Sequence, residues 1–172
     1  YKLLSSIERQ IHWFKRIYSK RRQLASWLIY FIGLIDSLDK NQVKSICNKF
    51  AFCKGEQKVI LTSNKISPYF IRKLSQGKIK PSGVFSLLEP LSYETILLIK
   101  AKYKNRNIKR HIEDFFKIYN NIRLHISGED LRRLGIAPGP NYQKIFTKVL
   151  NAKLNGRVKT KEEELALINK LK

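Results

Sequence analysis

The side chains that could support metal-dependent or nucleophilic chemistry are spread thinly. Nucleotidyl or phosphodiester chemistry needs two or three carboxylates close enough to hold divalent metals. The carboxylates are Glu8, Asp36, Asp39, Glu56, Glu89, Glu94, Glu113, Asp114, Glu129, Asp130 and the run Glu162, Glu163, Glu164. The adjacent pairs fall at helix starts or on charged helix faces, where the helix dipole and charge patterning account for them. His12, His111 and His125 do not join Cys47 and Cys53 at metal-ligand spacing, so four zinc ligands are not assembled. Neither thiol has an evident activating partner. No Walker-type loop and no G-x-G-x-x-G occurs. The sequence therefore predicts no catalytic residue, no metal site and no bound cofactor or small-molecule substrate in this chain.

Basic charge interleaved with aromatics accumulates instead. Lys and Arg number 35 against 13 Asp and Glu, a net charge of +22. Self-repulsion on that scale opposes compactness, so a polyanionic partner is expected. Nucleic acid is the first choice and an anionic membrane surface the second. A Lys/Ile/Asn-rich proteome is the competing explanation. One cluster is His12, Trp13, Lys15, Arg16 and Tyr18, continuing into Arg21 and Arg22. A second is Lys102, Tyr103, Lys104, Arg106, Lys109 and Arg110. A third, Arg132, Arg133, Tyr142, Lys144 and Lys148, surrounds a hairpin with Gly139 and Pro140 at its turn. Such groups suit phosphates and unstacked bases. From them the expected RNA contacts are Lys15, Arg16, Arg21, Arg22, Lys109, Arg110, Arg132, Arg133, Gly139, Pro140, Lys144 and Lys148. The opposing reading is a solvated face for any single lysine, a helix-dipole role for cations in a last turn, and core packing for Trp13, Phe14, Phe115, Phe116 and Phe146.

The elements that must position these residues all read as helices. Apolar residues recur at helical spacing in nearly every segment, and no series of alternating strands appears. Ile7, Ile11, Phe14 and Tyr18 mark a first helix over 5–18. Residues 22–38 predict a second, apolar on most sides and therefore central to a bundle. Its run from Trp27 to Ile35 is too short to span a bilayer. Asp39, Ser67, Ser92 and Thr160 are cap signals for later helices, and Pro81 and Pro90 bracket a short one. Ile108, Ile112, Phe115, Tyr119 and Ile122 predict one long helix over 106–122. Ser127 with Asp130 forms a capping box, Gly135 stops that helix, and Gly139-Pro140 starts the next. Its first-turn N–H groups beside Lys144 and Lys148 would seat a phosphate. Asn155-Gly156 ends it. Leu165, Ile168 and Leu171 line a last helix. The expected fold is all-α, a multi-helix body over 1–125 with a small C-terminal helical tail over 126–172.

The chain begins at Tyr1 and contains no methionine, which predicts an excised piece of a longer protein. Two cysteines and no visible signal peptide fit a reduced, cytoplasmic setting.

The pattern Gly128-x-Asp130-Leu131-x-x-Leu134-Gly135-x-x-Pro138-Gly139-Pro140, then Leu150 and Asn155-Gly156-x-Val158 before an acidic last helix, resembles the C-terminal tail of bacterial tRNA nucleotidyltransferases. These are the CCA-adding, CC-adding and A-adding enzymes grouped with poly(A) polymerases. Pro81-Ser82-x-Val84-Phe85-x-Leu87-Leu88 and Pro90-Leu91-Ser92-x-Glu94-x-Ile96-Leu97 resemble the helical body of that family, its A-adding-like branch especially. Usable motifs cover residues 80–172. The resemblance implies a region that holds the tRNA acceptor–TΨC arm by its backbone, with tRNA as partner and no membrane. It also implies that Mg²⁺ and ATP or CTP belong to a catalytic head outside this chain. Gln143 stands where the family commonly has glycine, and Tyr142 where it has an aliphatic residue. The alternatives are a helix-hairpin-helix DNA-binding module of a repair or replication protein, and a structural bundle whose charge is proteomic.

Overall fold

The computed structural model describes residues 2–18 and 23–170. Among them the chain forms eleven α-helices and one 3₁₀ turn, with no strand. Two compact units result, Tyr1–Lys78 with Leu87–Asp114, and Ile79–Ser86 with Phe115–Lys172. The second unit thus takes in residues 79–86 and 115–125 besides the tail expected from residue 126.

The first unit is organised around α7 (Tyr93–Lys102), in which every residue from Glu94 to Ala101 is buried. Ser92 starts it by accepting the Thr95 backbone N–H. Against it pack α1 (Lys2–Tyr18), α2 (Ser26–Leu34) and α4 (Lys54–Asn64). α1 buries Ile7, Ile11, Phe14 and Tyr18, the face its periodicity predicts. Fully burying one such side chain contributes about 1.5–3 kcal/mol.

The helix expected over 22–38 is shorter, and it is not the central one. α2 buries Leu28, Ile29 and Ile32, while Trp27 and Leu34 are exposed. The chain turns after Leu34 because Leu38 N–H bonds to Ile35 C=O and Asp36 pairs with Lys102 at 2.8 Å. A Cβ at Gly33 would lie 2.5 Å from Ile7 Cδ1 of α1, so any side chain there would require that terminal methyl to swing aside.

Asp39 caps α3 (Lys40–Lys49) in a capping box with Gln42, and α3 pairs with α4. Ser67 caps α5 (Pro68–Leu74). The turn after α5 is fastened by the first half of α8 (Arg106–Lys117). Asn107 Nδ2 donates to Ser75 C=O at 2.9 Å, Arg110 to Gly77 C=O at 3.0 Å, and His111 Nε2 lies 2.9 Å from Gln76 C=O.

The second unit opens with α6 (Pro81–Leu88). The Ser82 N–H donates to Asn155 Oδ1 at 3.1 Å, and Asn155 Nδ2 returns a bond to Ser82 Oγ at 2.9 Å. Phe85 lies 6.0 Å from Phe115 between ring centroids. The long helix expected to reach 122 ends at Lys117. Asn121 Nδ2 takes up the Phe116 and Lys117 carbonyls, and a 3₁₀ turn covers Tyr119–Asn121. Then follow α9 (Gly128–Arg133), α10 (Pro140–Leu154) and α11 (Lys161–Asn169). Their shared core is Ile126, Leu131, Val149, Val158 and Ile168. Leu171, expected beside Ile168, lies outside the described residues.

Candidate nucleic-acid interface

The hairpin at the head of the candidate surface is built by backbone rules. Ser127 Oγ accepts the Asp130 N–H, and Asp130 returns a bond from the Ser127 N–H at 2.7 Å. Lys161 Nζ sits 2.8 Å from the same carboxylate. That ammonium, with the two Ser127 bonds, holds the Asp130 carboxyl down at about 2. Gly135 takes φ +75°, a left-handed geometry that costs a side-chain-bearing residue about 1–2 kcal/mol. Its N–H bonds to Arg132 C=O and the Ile136 N–H reaches back to Leu131 C=O, the paired bonds of a Schellman ending. α10 ends in the same way at Gly156, φ +72°, with Gly156 N–H on Lys153 C=O and Arg157 N–H on Ala152 C=O.

Gly139 and Pro140 begin α10 with no side-chain cap over its first turn. Lys144 and Lys148 are exposed one turn apart on α10. Among the described residues neither forms an ion pair. Pro140 carries no N–H, and the Tyr142 N–H already donates to Gly139 C=O at 3.0 Å. What suits an anion here is the pair of uncommitted ammonium groups together with the positive end of the helix dipole. Arg132 and Arg133 are differently placed. Both reach Glu129 on their own helix, at 3.2 and 3.7 Å, so an anion must compete with that carboxylate. Tyr142 is no free stacking ring. Its hydroxyl donates to Ile136 C=O at 3.0 Å, its ring lies against Gly128, and Phe146 meets it edge-on.

A buried device behind the hairpin escapes sequence reasoning. Glu164 is fully buried on α11. Its carboxylate accepts the His125 and Ile126 N–H groups at 2.9 and 3.1 Å and pairs with Lys153 Nζ of α10. The capping-box spacing marks Glu163 beside it, and nothing in the run of three glutamates distinguishes the one that turns inward.

In the first unit, Lys15 and Arg16 are exposed at the end of α1. Arg16 lines an open groove with Glu8, Arg9, His12 and Trp13. Arg9 was not among the expected contacts, although its spacing from His12 and Arg16 places all three on one helical face. Trp13 is half-buried beneath Lys100, whose Nζ lies 3.0 Å from the ring centroid and 3.0 Å from Glu113. Arg21 and Arg22 lie outside the described residues. Lys109 is half-buried, and Arg110 is committed to the Gly77 carbonyl. The sequence-read cations thus divide between the two units: Lys15 and Arg16 gather on α1, while Lys144 and Lys148 gather on α10.

No group of three or more His, Cys, Asp or Glu side chains among the described residues could hold a metal ion. Nor is any single helix there long and apolar enough to cross a membrane. No family model and no solved structure matches the chain. A curated protein does. Across 98% of its length the chain is similar, at 26% identity, to an A-adding tRNA nucleotidyltransferase of Geobacter sulfurreducens, and it spans 20% of that protein. The resemblance read from residues 80–172 is therefore borne out, and it extends over nearly the whole chain.

Proposed function

We propose that this chain is a C-terminal, tRNA-holding region of a tRNA nucleotidyltransferase. In this reading it positions the acceptor–TΨC arm so that a catalytic head outside these residues adds the 3′-terminal nucleotide, A or CCA. The observation that carries it is the similarity over 98% of the chain to an A-adding tRNA nucleotidyltransferase. The net charge of +22 supports it, because phosphate neutralisation releases counterions and drives binding. Lys144 and Lys148, exposed one turn apart on α10, offer contacts to backbone phosphates, and Gly139 and Pro140 begin that helix with no side-chain cap over its first turn. Lys15 and Arg16 offer further phosphate contacts. Arg132 and Arg133 join once Glu129 releases them. Mg²⁺ and ATP or CTP belong to the head, and the compartment is the cytoplasm.

The test is tRNA binding as a function of salt. With about four phosphate contacts, affinity should fall roughly a hundredfold between about 50 and about 200 mM salt. A flat response would sink the reading. The Lys144→Glu substitution should weaken tRNA binding, and an unchanged affinity would remove α10 from the interface. The α9–α10 hairpin with its left-handed Gly135 also favours a second reading, a helix-hairpin-helix module for DNA. Competition of tRNA against duplex DNA separates the two, and a preference for duplex DNA would select the second.

A further inference from the structure

Four aromatic rings form a ladder on the surface of the first unit. Trp27 and Phe31 come from α2, and Phe50 and Phe52 from the connection between α3 and α4. Phe50 stacks on Phe52 at 5.8 Å and 26°, and Phe52 stacks on Trp27 at 6.2 Å and 14°. Phe31 braces the middle, with its centroid 5.2 Å from Phe52 and 6.3 Å from Trp27. The ladder is open at its ends: Trp27 is 49% exposed and Phe50 57%. Leu34, Tyr69 and Ile118 are also exposed, but singly exposed apolar residues are ordinary, and Tyr69 already carries the Arg72 guanidinium at 5.6 Å. A run of near-parallel rings whose two end members are both about half exposed is not ordinary.

The charge around the ladder says what would cover it. Lys49 and Lys54 flank the Phe50–Cys53 connection, Lys44 and Lys58 lie one turn further along α3 and α4, and all four are exposed. The acids of this stretch are occupied as helix caps: Asp39 accepts the Asn41 and Gln42 N–H groups, and Glu56 the Cys53 N–H at 2.8 Å. Protein–protein interfaces are depleted in lysine. Aromatic faces set among cations are what unpaired nucleotides need, with the bases stacking and the phosphates paired. We propose that the Phe50–Phe52–Trp27 ladder is a stacking platform for the unpaired bases of single-stranded RNA, with its flanking lysines on the phosphates. The choice of RNA rests on the tRNA-holding reading above. The platform adds a preference for unpaired nucleotides that phosphate contacts alone cannot supply.

The test measures binding of a short oligoadenylate and of an RNA duplex of equal length to the whole chain at one salt concentration. Phe50→Leu keeps an apolar side chain and removes the π-face. It should lower oligoadenylate affinity about tenfold and leave duplex affinity within about twofold. Phe50→Tyr, which keeps the ring, should retain the oligoadenylate affinity. Equal losses on both probes, or no loss on either, would overturn the platform. So would self-association of the chain that Phe50→Leu abolishes while both probes bind unchanged, since the face would then serve protein. Intact tRNA is the third probe. Salt-sensitive tRNA binding with no Phe50 effect on oligoadenylate sinks the platform alone, whereas absence of tRNA binding at low salt sinks the tRNA-holding reading.

Discussion

At the scale of single residues, the buried carboxylate of Glu164 has the most to lose. Removing one partner of a buried, hydrogen-bonded ion pair typically costs about 3–5 kcal/mol, because the other charge is left uncompensated. Glu164→Ala strands Lys153 and two backbone N–H groups, and denaturant unfolding should register a loss of that size. Glu164→Gln keeps an acceptor for the backbone and should cost less. Asp130 makes a prediction in pH. Its folded value of about 2 lies below the ordinary 3.8. Its contribution to stability is therefore present above about 3.8 and disappears as pH falls through about 2. An NMR titration of the Asp130 carboxyl should show the low midpoint, and Lys161→Ala should raise it. A midpoint at the ordinary value would disprove the Lys161 pairing. Asp130 was legible in sequence, since a Ser-x-x-Asp spacing states its own geometry. Glu164 was not, because three consecutive glutamates look alike until the helix is given a direction to face.

At the scale of elements, the ends of helices read better than their middles. Ser67, Ser92, Ser127 and Thr160 cap where their side chains predict, and Gly135 and Gly156 stop helices with positive φ. These signals are local, so neighbouring residues suffice to read them. Gly135→Ala and Gly156→Ala should each destabilise by about 1–2 kcal/mol through the left-handed backbone they must keep, measurable by thermal melts. Centrality is not local. α2 has the most apolar sequence, yet α7 is the buried helix, polar groups included. Glu94 reaches the Ala25 N–H, Thr95 lies 2.7 Å from Ser63 Oγ, and Lys100 pairs with Glu113. A helix whose polar residues find partners can be enclosed on all sides, and hydropathy alone cannot see the partners. Leu97→Ala in α7 should therefore cost about 2–5 kcal/mol, against about 0.5 kcal/mol or less for Leu34→Ala at the exposed end of α2. Similar losses at the two positions would contradict the assignment of the centre.

For the molecule as a whole, salt should act in opposite senses on stability and on binding. Screening relieves the repulsion within a chain of net charge +22, so the melting temperature of the free protein should rise with ionic strength. Affinity for a polyanion should fall over the same range. A melting temperature that falls with salt would mean that attractive surface pairs, not repulsion, dominate. The charge total was plain in the sequence. Its usable part was not, because Lys100, Lys153, Arg110, Arg132 and Arg133 prove committed to Glu113, Glu164, Gly77 and Glu129.

The bond between Ser82 and Asn155 spans 73 positions of chain. During synthesis α6 therefore emerges long before the side chain that closes its first turn. The second unit cannot be completed until Asn155, and then Glu164, have left the ribosome. A nascent chain halted before Asn155 should leave Ser82 and the 125–126 backbone open to proteases that the finished chain resists.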